Sequence, residues 1–218
     1  MNAKKFLSNL RLLAVVGPPV IDLDRMLECC LAAEAGGITG LQVRWKNAPA
    51  SELVSLTESL VQALSIPVYV NDRADVALAA GAVGVHLGAE DLDPARVRSM
   101  SPSGFRIGVS VGTEGEADRA LAAEVDYWSI GSIYHTGTKP DAGLPIGTRG
   151  FRRLAANVPV GMPVIAIGGI DGSNVADVLH AGAHGVAVVS AVFGSEEIEG
   201  NARDLRAIID EVLNTSSS

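Results

Sequence analysis

The stretch PVYVNDRADVALAAGAVGVHLGAEDL, residues 67–92, decides the fold. Two apolar runs, 67–70 and 83–87, are too short for helices, rich in β-branched residues and bounded by Pro or Gly. Each reads as a buried strand. Between them 74–80 is alanine-rich and stops at Gly81, a helix with its terminator. Together they make one βαβ unit, whose crossover is right-handed and whose strands are parallel. A carboxylate follows each strand: Asp72 after the first, Glu90 and Asp91 after the second. Ligands of α/β folds bind at those carboxyl ends. Carboxylates beside Asn71 suit a hard cation such as Mg2+, which takes few protein oxygens and draws others from a substrate phosphate. Asp72 and Asp91 equally suit capping of the helices that follow them.

The same alternation runs outward in both directions. Strands are expected at 12–16, 41–45, 106–110, 127–130, 163–167 and 185–189. Helices are expected at about 24–35, 49–64, 94–100, 114–124, 148–156, 174–181 and 196–213. Eight strand–helix units without a break in composition predict an α/β protein, a single-domain (β/α)8 TIM barrel over 1–218 with the barrel proper at about 11–213. The pattern A-G-x-x-G-V recurs at 80–85 and 181–186, each time a helix stop before a strand start, and marks the stability face of the barrel. Residues 131–147, with four Gly and two Pro, form the longest irregular segment.

Composition agrees. The chain is 48% hydrophobic but only 4% aromatic, so Ala, Val, Leu and Ile must fill the core, as in a parallel sheet covered on both faces. A net charge of -8 argues against nucleic-acid or membrane-surface partners. Cys29 and Cys30, adjacent in a helical pattern, read as buried thiols of a reducing compartment. With no apolar run long enough to span a bilayer and no signal-peptide core, the expectation is a cytoplasmic protein acting on small molecules, a homo-oligomer being left open.

Within this acidic chain, cations gather at the strand ends. Gln42 and Arg44 sit two apart on a strand and share a face, and Lys46 continues that direction. With Thr138 and Lys139 of the long loop they would grip a polyphosphate; a solvated strand end explains Arg44 and Lys46 equally well. Gly168 and Gly169 follow the seventh strand and would let a ligand approach the backbone. Val189 and Ser190 follow the eighth, and barrels often bind phosphate with these two loops. His86 and His184 read as structural and His180 falls on a helix, which leaves His135 as the histidine nearest a substrate.

Seven motifs in register resemble the thiamine-phosphate synthase family: QVRWK (42–46), NDRADVA (71–77), GVHLGxxDL (84–92), GVS (108–110), TGTKPDA (136–142), AIGGI (166–170) and GVAVVSA (185–191). The resemblance implies a Mg2+-dependent transferase. It joins a hydroxymethylpyrimidine diphosphate to a thiazole phosphate after ionisation of the pyrimidine, releasing pyrophosphate. It assigns Asp72 and Asp91 to Mg2+, and Gln42, Arg44, Lys46, Asn71, Ser110 and Lys139 to the pyrimidine diphosphate. Lys46, Ser110 and Lys139 would carry the catalytic contacts. Thr136, Thr138, Gly168, Gly169, Val189 and Ser190 would hold the thiazole phosphate. Ser110 is followed by Val111-Gly112-Thr113 where the family often has a histidine, and the first strand ends in an apolar Val15-Val16-Gly17-Pro18 turn. Two alternatives share the barrel: a thiazole tautomerase-like enzyme and a non-catalytic binder of thiamine-type phosphates.

Overall fold

Eight short runs, nearly all of their residues buried, lie side by side in the computed structural model, which describes residues 3–138 and 143–215. They are β1 (Leu12–Val16), β2 (Gly40–Val43), β3 (Val68–Asn71), β4 (Gly84–Leu87), β5 (Arg106–Val111), β6 (Tyr127–Ile130), β7 (Val164–Ile167) and β8 (Val186–Val188). Every neighbouring pair is parallel, and β8 returns to β1 through Leu12↔Val186 and Ala14↔Val188, so the sheet closes as a (β/α)8 barrel.

An outer ring of helices covers the sheet: α2 (Met26–Ala35), α3 (Ala50–Ala63), α4 (Ala74–Ala79), α5 (Pro94–Met100), α6 (Glu114–Leu121), α7 (Gly147–Ala155), α8 (Val175–His180) and α10 (Ile198–Thr215). Local chemistry sets their ends. Asp93 caps α5 by accepting from the Ala95 and Arg96 N–H groups, with Pro94 in the first turn. Thr113 and Glu116 form a reciprocal capping box on α6. Cys29 and Cys30 are buried free thiols in the layer between helices and sheet.

Two elements go beyond the expected units. A short α9 (Ser190–Phe193) follows β8 directly, and α1 (Ala3–Asn9) precedes β1. Phe6 of α1 and Leu10 just after it join Leu13, Val15, Tyr69, Tyr127, Ile165 and Ala187 in a second core inside the barrel, separate from the one beneath the helices. The lower half of the interior is thereby filled with aromatic rings.

Candidate functional site

Above that aromatic plug the inward-facing residues become small or polar, and a cavity of about 470 Å³ opens at the carboxyl ends of the strands. Alternation along each strand puts Val15, Gln42, Asn71, His86, Ser110, Ser129, Ile167 and Ala187 on its floor and walls. Gln42, Arg44, Lys46, Asn71, Asp72, Asp91, Ser110, Thr136, Thr138, Gly168, Gly169, Val189 and Ser190 all line this one space, together with Glu90. Lys139 lies outside the described residues.

β2 ends at Val43, so Arg44 and Lys46 leave the regular strand, yet both still reach the cavity with Gln42. Gln42 is almost fully buried and donates from Nε2 to Asn71 Oδ1 at 2.7 Å, which fixes both amides at the wall. Trp45 between the two cations packs outward against the main core.

The helix-capping reading of the aspartates does not hold. Arg73 occupies the N-cap position of α4 with no capping hydrogen bond, and Asp93 caps α5. Asp72 sits at φ 66°, a left-handed conformation that a short polar side chain tolerates, and its N–H donates to the His86 carbonyl. Asp91 Oδ2 accepts from the Gly88 N–H at 2.6 Å. Burial first, then the neighbouring Asp91 carboxyl, push the Asp72 carboxyl up to about 6, against the opposing pull of Arg44 and Lys46. Two carboxylates held this close suit a shared divalent cation. Among the described residues no cluster of three or more His, Cys, Asp or Glu side chains forms a metal cage. Mg2+ needs none, because it is bound through one or two carboxylates plus substrate phosphate.

The glycine pair lines the cavity and also has a second, packing use. A Cβ on Gly168 would strike Ser132, and one on Gly169 would strike the Tyr134–His135 backbone. Ile133 and Tyr134 donate to the carbonyls of Ile167 and Gly168, both at 2.9 Å. Bare backbone after β7 therefore lets the loop after β6 lie directly upon it, and the cavity wall is built from the two together. Asn174 ties the turn down, donating from Nδ2 to the Gly169 carbonyl at 2.9 Å.

His86 is one of several lining residues, with Ser129 and Ser132, that sequence reasoning misses. The sequence marks it as structural and favours His135; the structure puts His86 on the cavity wall with its ring between Tyr127 and Ser110. The available signal was strand alternation: Gly84 and His86 share the inward face, and His86 pairs in register with Asn71.

A family model described as thiamine monophosphate synthase matches residues 12–192. The chain is 44% identical over 196 residues to the thiamine-phosphate synthase of Moorella thermoacetica, covering 88% of this chain and 90% of that one. It is 46% identical over 180 residues to the thiamine-phosphate synthase of Methanoculleus marisnigri, covering 80% and 83%. The solved thiamine phosphate pyrophosphorylase of Pyrococcus furiosus superposes with a TM-score of 0.86 at 36% identity, covering 95% of this chain and 99% of that one. A 3-hexulose-6-phosphate synthase structure, 18% identical with a TM-score of 0.70, shares the fold alone.

Proposed function

The chain belongs to the thiamine monophosphate synthase family, and from that premise we propose that it joins a pyrimidine diphosphate to a thiazole phosphate with Mg2+. One observation carries the reading: Arg44, Lys46, Asp72 and Asp91 meet at the rim of a single cavity, beside the loops after β7 and β8. Cations and a carboxylate pair at one mouth suit a diphosphate with its divalent ion, and the β7–β8 loops suit a phosphate monoester.

Arg44, Lys46 and the linked amides of Gln42 and Asn71 would hold the diphosphate end of the pyrimidine substrate. Asp72 and Asp91 would hold Mg2+, which when bound supplies positive charge to the leaving group. The bond from the pyrimidine methylene carbon to the diphosphate oxygen breaks, and its electron pair departs with pyrophosphate. The new bond forms between that carbon and the thiazole ring nitrogen. The attacking nitrogen carries no proton, so no general base is required. Fixed cations facing the developing charge, and exclusion of water from the methylene cation, are the chain's contribution. The Gly168–Gly169 turn, Val189, Ser190, Thr136 and Thr138 would fix the thiazole phosphate so that its nitrogen is aimed before the bond breaks.

Buried free thiols at Cys29 and Cys30 support a reducing, cytoplasmic setting. Among the described residues no helix is long and apolar enough to cross a membrane. The test is turnover: purified protein, both substrates and Mg2+, with thiamine phosphate read by fluorescence after oxidation. Product that depends on Mg2+ supports the reaction. Folded protein that forms none overturns it.

A further inference from the structure

We infer that Tyr127 is a positioning residue for Ser110, acting through His86 to make the serine hydroxyl a hydrogen-bond donor toward bound diphosphate; the inference rests on the reaction proposed above. Tyr127 is fully buried inside the barrel. Its ring occupies room that exists because Gly108 opposite has no Cβ. Edge contacts with Phe6 and Tyr69, at centroid distances of 6.3 and 6.0 Å, hold the ring in place. The phenol oxygen lies 3.0 Å from His86 Nδ1, and His86 Nε2 lies 3.0 Å from Ser110 Oγ. Ser110 in turn lines the cavity.

Proton counting gives this chain a direction. Burial holds the Tyr127 phenol well above its ordinary range, so it keeps its proton. Among the described residues the phenol has no hydrogen-bond partner besides His86. A buried O–H without an acceptor is expensive, so the phenol donates to Nδ1. A neutral imidazole then carries its proton on Nε2, and Nε2–H donates to Ser110 Oγ. One lone pair of the serine oxygen is occupied, and its own hydrogen is left for the cavity. A diphosphate oxygen, which only accepts, is met by a donor. With the opposite tautomer Ser110 would give its hydrogen to His86 and turn lone pairs toward an anion.

The test begins on the free protein. In 15N spectra of histidine-labelled enzyme, with His86 assigned by the signal lost in His86→Gln, Nδ1 is expected as the unprotonated nitrogen and Nε2 as the protonated one. Tyr127→Phe keeps the ring and removes the donor, so the two tautomers should mix. Binding of inorganic pyrophosphate with Mg2+ supplies the second readout. Ser110→Ala should weaken it by about tenfold or more, and Tyr127→Phe by several-fold, as expected for a donor to a charged group. The double variant should bind no worse than Ser110→Ala, with the KM for thiazole phosphate unmoved in Tyr127→Phe. A proton on Nδ1 in the unmutated protein, or additive losses in the double variant, overturns the inference. Should Tyr127→Phe fail to fold, the tautomer of the unmutated protein still decides it. Protein without turnover that shows the expected tautomer, and loses pyrophosphate binding in Ser110→Ala, would overturn the reaction and leave the relay standing.

Discussion

The two ends of this barrel carry similar charges and treat them in opposite ways. At the amino end of the strands, Asp126 accepts from Arg98 Nη2 at 2.6 Å and from Arg106 Nη1 at 2.5 Å, and also from the Ile107 N–H. The Arg106 guanidinium lies 4.3 Å over the Phe6 ring, so α1, the plug and the ion pairs form one closed layer. At the carboxyl end, Asp72 and Asp91 face each other, with Arg44 and Lys46 close enough to act electrostatically on Asp72 but not enough to return it to its ordinary range. Below, Asp126 is answered by the chain's own arginines; above, the Asp72–Asp91 pair is answered only in part. β3, β5 and β6 feed both ends, so the contrast comes from side chains: Tyr69 and Tyr127 with Phe6 of α1 below, and Asn71, Ser110 and Ser129 above. A barrel with this division is stabilised at one end and left electrostatically unfinished at the other.

The largest effect that could break the contrast comes from Asp72→Asn. Turnover should fall by about 10³-fold or more, because the carboxylate proposed to hold the divalent ion loses its charge. The metal-free protein should melt higher at neutral pH, since a buried carboxylate facing Asp91 is replaced by an amide that tolerates the same left-handed backbone. Activity assays paired with thermal melts check both halves. A variant that loses stability and activity together would mean the mouth is built like the bottom.

Asp126→Ala probes the other end. It strands two arginines, and the cost should be on the order of 3 kcal/mol, or roughly 6–12 °C in melting temperature for a domain of this size. The kcat measured well below the melt should stay as it was, because nothing at the mouth has changed. Gly169→Ala comes next in size. The added methyl meets the Tyr134–His135 backbone, so the loop after β6 must lift off the turn. The KM for thiazole phosphate should rise by about tenfold with kcat little altered, as expected when a prebuilt wall is displaced. An unchanged KM would detach that wall from the thiazole phosphate.

The fold was legible because the strands are short, apolar and buried on both faces, which leaves a run such as 127–130 or 164–167 no other reading. The helix α1 escaped because seven residues with two lysines carry no periodic signal. Its single anchor, Phe6, matters only once the barrel exists to receive it. The gathering of cations and carboxylates at one mouth was legible too, since the barrel itself brings every strand end together. What non-local packing decides was hidden. Nothing near Gly168 and Gly169 in the chain says that Ser132 and Tyr134 will rest on them. A lone histidine within an apolar run gave no local sign that Tyr127 and Ser110 would take its two nitrogens.

The smallest expected effect, a pH dependence, has a sign that separates the two ends. The Asp72 carboxyl is held up at about 6 in the folded metal-free chain, against an ordinary value of 3.8, so between those values the folded form keeps a proton that the unfolded form has released. The stabilisation linked to that proton is complete below the ordinary value and is lost as pH rises through about 6. Metal-free protein should therefore melt slightly higher at pH 5 than at pH 7 relative to Asp72→Asn, which lacks the titration. With Mg2+ held by Asp72 as proposed, the order should reverse: the ion needs the ionised carboxylate, so its affinity should fall by up to about tenfold per pH unit below 6. Melts of the parent chain and of Asp72→Asn, across that range with and without Mg2+, give a difference curve that isolates this one group. Asp126→Ala should shift parent and double variant alike and leave the curve in place, because the carboxylate it removes belongs to the end already complete.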